Sequence, residues 1–145
     1  MEEVIYPMVS YSKEYTYADY LKFDFDYMVE IIRGQTFKMT PAASMHHQRI
    51  SSNLHEHLYN FINKGKCQIY AAPTDIVLPV ASRKCLKSTT VVQLDLCIMC
   101  DTSIIEKQAV FGPPTLVVEI LSPHTRKRDL QLKYDIYVEA SVQEY

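Results

Sequence analysis

The chain contains no tryptophan and only three glycines among its 145 residues. So few glycines leave no glycine-rich phosphate loop, and no GxSxG turn occurs, which weakens nucleotide-binding and serine-hydrolase readings. No run of about 18 apolar residues is present, so no membrane span is expected. The opening MEEVIYPMVS lacks the basic and apolar regions of a secretory signal. With a net charge of −2, no global basic field advertises nucleic acid, although a local basic patch stays open.

What is present is ordinary for a folded protein, at 48% hydrophobic and 22% charged residues, with aromatic content dominated by 11 tyrosines. The length suits one domain over 1–145 with its own core, residues 1–12 forming a loose lead-in. Cys67, Cys85, Cys97 and Cys100 lie in or beside apolar runs. They read as small core hydrophobes in a reducing compartment, which predicts a cytoplasmic protein. Cys97 and Cys100 form a CxxC, but residues three apart on a strand face opposite sides, so a shared metal is not expected.

Periodicity and punctuation place the elements. A short helix is expected over 16–23, capped by Thr16, and a hairpin over 27–40 turning near Gly34. The clearest helix is 44–65, from Ser44 to Gly65, with Ile50, Leu54, Leu58, Phe61 and Ile62 as its apolar stripe. Strands follow at 67–72, 74–80, 91–101 and 115–122, with a polar loop over 81–89. A last helix spans 125–140, with Leu130, Tyr134, Tyr137 and Val138 as its apolar side. This order predicts an α+β, or mixed α/β, architecture.

Two β-prone runs carry a carboxylate in their middle: Asp95 in VVQLDLCIMC and Glu119 in TLVVEILS. A buried, unpaired carboxylate costs several kcal/mol, so each needs a cation or a solvated face. If the two share a face on neighbouring strands, their repulsion is relieved by a bound ion, and such oxygen donors suit Mg²⁺ or Mn²⁺. Glu30, in YMVEIIRG, is a third acid of the same kind. On the last helix Asp129 and Lys133 share a face at i, i+4. They form either a helical ion pair or a site in which Lys133 turns toward the carboxylates to stabilise an anionic transition state. Arg126, Lys127 and Arg128, at the helix start, are either a solvated turn or phosphate contacts. His46 and His47 are adjacent and point about 100° apart on a helix, which favours surface or capping roles.

The segments YTYADYLKF, VEIIRGQTFKMTPAASMHHQRI, AAPTDIVLP, VVQLDLCIMCD and GPPTLVVEILSPHTRKRDLQLKYDIY, with the final ASVQEY, resemble the Uma2 family of restriction-endonuclease-like proteins. The resemblance runs from about Tyr15 to the end, and LVVEILSPHTRKRDL is its most specific part. It implies a PD-(D/E)xK nuclease-type fold, a central mixed sheet flanked by helices. It also implies a metal site in which Asp95 and Glu119 are ligands and Glu30 completes the set. The usual motif lysine would stand at 121, which is leucine, and Lys133 from the following helix matches its substitute. Gln48 falls on a position that lines the site. Leu94 stands where the motif has proline, a change that removes no ligand.

The resemblance further implies that the family's C-terminal strands are missing here. A sheet edge would then be left beside the Glu119 strand, where a second copy can pair to form a homodimer. The expected activity is Mg²⁺- or Mn²⁺-dependent hydrolysis of DNA, with Asp95, Glu119 and Lys133 catalytic and Arg126, Lys127, Arg128 and Gln48 on the substrate. The alternatives are a non-catalytic nuclease-like interaction or assembly module, and an α+β domain with no site.

Overall fold

The computed structural model describes residues 13–39, 43–62 and 64–145. Two sheets share a core. The first has five strands in the order β2-β1-β5-β4-β7, and the second has three in the order β3-β6-β8. The strands are β1 (Val29–Ile32), β2 (Gln35–Lys38), β3 (Gln68–Ala71), β4 (Asp75–Val77), β5 (Val91–Gln93), β6 (Leu96–Met99), β7 (Val110–Phe111) and β8 (Leu116–Val118). β4 and β7 are parallel and the other pairs antiparallel, so the sheet system is mixed.

Local chemistry explains the boundaries. Helix α1 (Tyr17–Tyr20) starts at Thr16, whose side chain accepts from the Asp19 amide while Asp19 bonds back to the Thr16 amide. The β1–β2 hairpin turns through Arg33 and Gly34, with φ of 49° and 80°, the left-handed pair that a tight two-residue turn requires. At Gly34 an added Cβ would also meet Glu14 Cβ at 2.9 Å. Helix α2 (Met45–Ile62) is capped by Ser44, whose hydroxyl accepts from the His47 amide at 3.1 Å.

The strand expected over 91–101 is two strands. β5 belongs to the larger sheet and β6 to the smaller, with the break at Leu94-Asp95. Leu94 fills the core at the corner, and Asp95 Oδ2 takes the Ile120 amide at 2.6 Å, a donor that a continuing ladder would have paired with a carbonyl. The Glu119 strand is likewise shorter than expected and ends at Val118. Neither Asp95 nor Glu119 is therefore mid-strand; each flanks a strand end.

The last helix runs continuously as α3 (Arg126–Arg128), a π turn (Asp129–Lys133) and α4 (Tyr134–Glu139). Its inward face is Asp129, Lys133, Ile136, Tyr137 and Ala140, whereas Leu130, Tyr134 and Val138 are exposed. Of the expected apolar side only Tyr137 is buried, because the buried stripe contains two charged residues. Ile136, Tyr137 and Ala140 pack with Ile76, Leu78, Val92, Leu94, Cys97, Met99 and Val117 in the main core. The stripe of α2 is only half-buried, and Phe61 stands outside it, 87% exposed.

The cysteine reading also needs correction. Cys67 and Cys100 form a disulfide. They are the next cross-strand pair beyond Gln68↔Met99 of β3 and β6, with Cα atoms 4.0 Å apart. Cys97 is a buried thiol, as expected, and Cys85 is an exposed one. The disulfide removes the support that four core thiols gave to a reducing compartment. Among the described residues no helix is long and apolar enough to cross a membrane.

Candidate active site

The centre of the molecule holds a buried ammonium. Lys133 is 2% exposed, and its Nζ lies 2.8 Å from Glu30 Oε1 and 2.9 Å from Glu119 Oε1, and donates to the Gln93 carbonyl at 3.0 Å. A lysine has three N–H donors, and these three acceptors use them. Asp129 Oδ1 stands farther off at 3.9 Å. The three carboxylates come from β1, the end of β8 and the π turn, so the site exists only where both sheets meet the last helix. Asp129 and Lys133, four residues apart at the two ends of the π turn, are both buried in the interior.

Neighbouring groups fix the carboxylates. Glu30 is fully buried, and its Oε1 also accepts from the Gln93 amide at 2.9 Å. Glu119 Oε1 accepts from the Tyr137 hydroxyl at 2.6 Å as well as from Lys133. Both bonds fall on Oε1, which leaves Oε2 outside them. Arg128 turns inward, with Nη1 3.6 Å from Glu30 Oε2 and Nε 3.9 Å from Asp129 Oδ1. Glu30 Oε2, Asp129 Oδ1 and Arg128 Nε are buried without a hydrogen bond, so the network is polar and incompletely satisfied.

The charges do not balance: Glu30, Glu119 and Asp129 face Lys133 and Arg128. Burial pushes the Glu119 carboxyl up to about 7 against the pull of the Lys133 ammonium, and Asp129 and Glu30 add to the rise. Burial raises Asp129 too, again opposed by Lys133. For Lys133, burial acts to lower the pKa, but Glu119, Glu30 and Asp129 outweigh it and hold the ammonium above its ordinary value. Burial and the adjacent Glu119 keep the Tyr137 hydroxyl protonated, well above its usual range. A carboxyl near neutrality, beside a permanent cation, is the kind of perturbed group that clusters at functional sites.

Asp95 sits at the rim. Extending the β6–β8 register by one step beyond Leu96↔Val118 sets Asp95 opposite Glu119, which places the two acids on neighbouring positions. Asp95 Oδ2 is held by the Ile120 amide, and Oδ1 lies 3.3 Å from His47 Nε2 of α2. These two side chains are about one-fifth exposed, at 22% and 21%. Gln48, by contrast, is exposed, as are Arg126 and Lys127. Contact with Asp95 thus comes from His47, the residue before Gln48. Only one of three successive helical side chains can face a given point, a constraint that periodicity supplies without saying which one wins.

Tyr137, Asp129 and Gln93 were not singled out from the sequence as site residues. Tyr137 read as part of an apolar face, Asp129 as a partner for Lys133 alone, and Gln93 acts largely through its backbone.

The model of the Uma2 family, described as "Putative restriction endonuclease", matches residues 16–145. The chain belongs to the Uma2 family. No curated protein matches it. The mixed sheet with flanking helices agrees with a restriction-endonuclease-like fold, and membership gives this Uma2 chain a nuclease-like character.

Proteins of this fold generally use divalent metals, so the donors present must be tested against one. Among the described residues no group of three or more His, Cys, Asp or Glu side chains is arranged to hold a metal ion. Glu30 does not fit such a role, because it is sealed from solvent and Lys133 already serves as its cation. Asp95 fits, and Glu119, whose side chain is 5% exposed and whose Oε1 is held by Lys133 and Tyr137, keeps only Oε2 for such a role. Mg²⁺ sites commonly use one or two carboxylates and complete the shell with water and phosphate oxygens, and the Asp95 side chain is 22% exposed.

Proposed function

We propose that this Uma2 protein is a Mg²⁺- or Mn²⁺-dependent endonuclease that hydrolyses DNA phosphodiesters within a single domain. The observation that carries this reading is the buried Lys133 ammonium bound to Glu30 and Glu119, next to the solvent-reachable Asp95. Asp95 and Glu119 are the residues that would hold the cation. When bound, it supplies an acidified water and neutralises charge on the scissile phosphate.

The protein's own groups have separate tasks. The Ile120 amide fixes the Asp95 carboxylate. Lys133 and Tyr137 hold Glu119 by Oε1 and keep its orientation constant. Lys133 also offsets the cost of burying Glu30, and its charge favours negative charge developing nearby. Arg128 is occupied inside the protein, so phosphate contacts fall to the exposed Arg126 and Lys127.

A homodimer is part of this proposal, although the β8 edge expected to seat it is bridged by Glu144 of the same chain, which leaves the last helix as the face for it. Leu130, Tyr134 and Val138 are 50%, 50% and 59% exposed at four-residue spacing, an apolar stripe suited to a second copy.

The test is nicking of supercoiled plasmid with Mg²⁺ or Mn²⁺, comparing the wild type with Asp95→Asn. The amide can still accept from Ile120, so the fold is spared while the charge is lost. Metal-dependent cleavage should fall at least about a hundred-fold, equal to about 3 kcal/mol of transition-state stabilisation. Cleavage that survives the substitution refutes the site assignment. One observation favours the non-catalytic alternative: all three Lys133 donors are engaged within the protein. No cleavage by folded protein, with every metal tried, would establish that alternative.

A further inference from the structure

Asp95 has one carboxylate oxygen engaged and one presented. Oδ2 is taken by the Ile120 amide at 2.6 Å, which turns Oδ1 toward His47 Nε2 at 3.3 Å. His47 is itself positioned, because its backbone amide donates to the Ser44 hydroxyl that caps α2. The cap fixes the backbone of His47 on one side of the site, and the Ile120 amide fixes the Asp95 carboxylate on the other.

We propose that His47 is a further ligand of the cation held by Asp95 and Glu119, and that this mixed nitrogen–oxygen seat takes Mn²⁺ in preference to Mg²⁺. The inference rests on the metal-dependent reading given above. Two adjacent ligands of an octahedral ion, each about 2.1 Å from it, stand about 3.0 Å apart. The observed 3.3 Å needs only a small adjustment to admit an ion between the two groups.

Accessibility separates this seat from the buried cluster. His47 and Asp95 are 21% and 22% exposed, whereas Glu30 and Lys133 are 0% and 2% exposed. A hydrated cation reaches the first pair directly and would have to displace a lysine from the second. Ligand chemistry sets the preference. Imidazole suits transition ions, while Mg²⁺ selects oxygen donors and gives up its waters reluctantly. His46 and Gln48, the neighbours on α2, are exposed and contribute no further donor to this seat.

The alternative is an ion pair that merely docks α2 onto the sheet edge. Binding of Mn²⁺ and Mg²⁺ to the intact chain, without DNA, separates the two. Free Mn²⁺ is followed by electron paramagnetic resonance and Mg²⁺ by calorimetry. Wild type should bind Mn²⁺ more tightly and show nitrogen-14 modulation of the bound Mn²⁺ spin echo. His47→Gln should abolish that modulation and weaken Mn²⁺ at least about ten-fold, with Mg²⁺ changed less than about three-fold. His47→Asp should restore binding with hard oxygen and remove the Mn²⁺ preference. Asp95→Asn should weaken both ions.

Bound Mn²⁺ without nitrogen-14 modulation, or His47→Gln binding both ions like wild type, overturns the role of His47 and leaves the metal-dependent reading standing. Failure of folded wild type to bind either ion overturns both.

Discussion

Replacing Lys133 with methionine keeps most of the side-chain volume and removes only the charge and its hydrogen bonds. The ammonium is 2% exposed and lies 2.8 Å from Glu30 and 2.9 Å from Glu119, whose side chains are 0% and 5% exposed. Removing one member of a buried ion pair costs about 3–5 kcal/mol, because the other charge stays buried without compensation. Against a total of about 5–15 kcal/mol for a domain, that loss leaves a marginally stable protein. It should be pH-dependent, and the sign can be worked out.

Glu119 is raised from 4.5 to about 7 with Lys133 pulling it down, so Lys133→Met raises it further. A carboxyl with a raised folded pKa is penalised at pH above its unfolded value, and the penalty vanishes below it. Lys133 itself has a raised pKa, so its contribution is present throughout the range below its unfolded value. Across pH 4.5 to 8 the variation therefore comes from the carboxyl side. The difference between wild type and Lys133→Met should be about 3–5 kcal/mol at pH 8 and should shrink toward pH 4.5. Urea unfolding of both proteins across that range measures it, and adding Glu30→Gln to the variant should recover part of the loss at pH 8. A deficit that stays constant with pH, or a double variant worse than the single one, would refute the buried-pair argument.

Other outcomes follow from the same geometry. Tyr137→Phe removes a 2.6 Å bond to Glu119 and should cost about 1.5–3 kcal/mol, as for hydrogen bonds to charged groups, read as a lower urea midpoint at unchanged slope. Reducing the Cys67–Cys100 disulfide, whose cysteines are 33 residues apart, should cost about 2–4 kcal/mol through restored chain entropy. Comparing Cys67→Ser/Cys100→Ser with wild type, with and without reductant, checks this, and a double variant as stable as oxidised wild type counts against it.

Much of the local structure was legible in the sequence because local rules decide it. Thr16 followed by Asp19 sets a capping box, Arg33-Gly34 a tight turn, and Ser44 a helix start, each through contacts within a few residues. The acids Asp95, Glu119 and Glu30 stood out because carboxylates in apolar runs demand an explanation. Lys133 was legible too, as the cation that the missing motif lysine called for.

Long-range geometry decided the rest. The apolar run 91–101 gave no sign that Asp95 would take the Ile120 amide and send the chain from one sheet into the other. The last helix was misfaced because a buried charged stripe looks polar until its partners on β1 and β8 are known. Cys67 and Cys100 became a pair only through the register of β3 on β6. Which of His46, His47 and Gln48 faces Asp95 depends on how α2 is rotated against the sheets.

The sequence by itself determined the turns, the caps, the family and the titratable groups available, since these rest on residue type and short spacing. Only the tertiary structure decided that Lys133 acts as the internal cation of Glu30 and Glu119 while Asp95 is left open to solvent beside His47. Burial and pairing are properties of elements brought together from distant parts of the chain, and no single segment carries them.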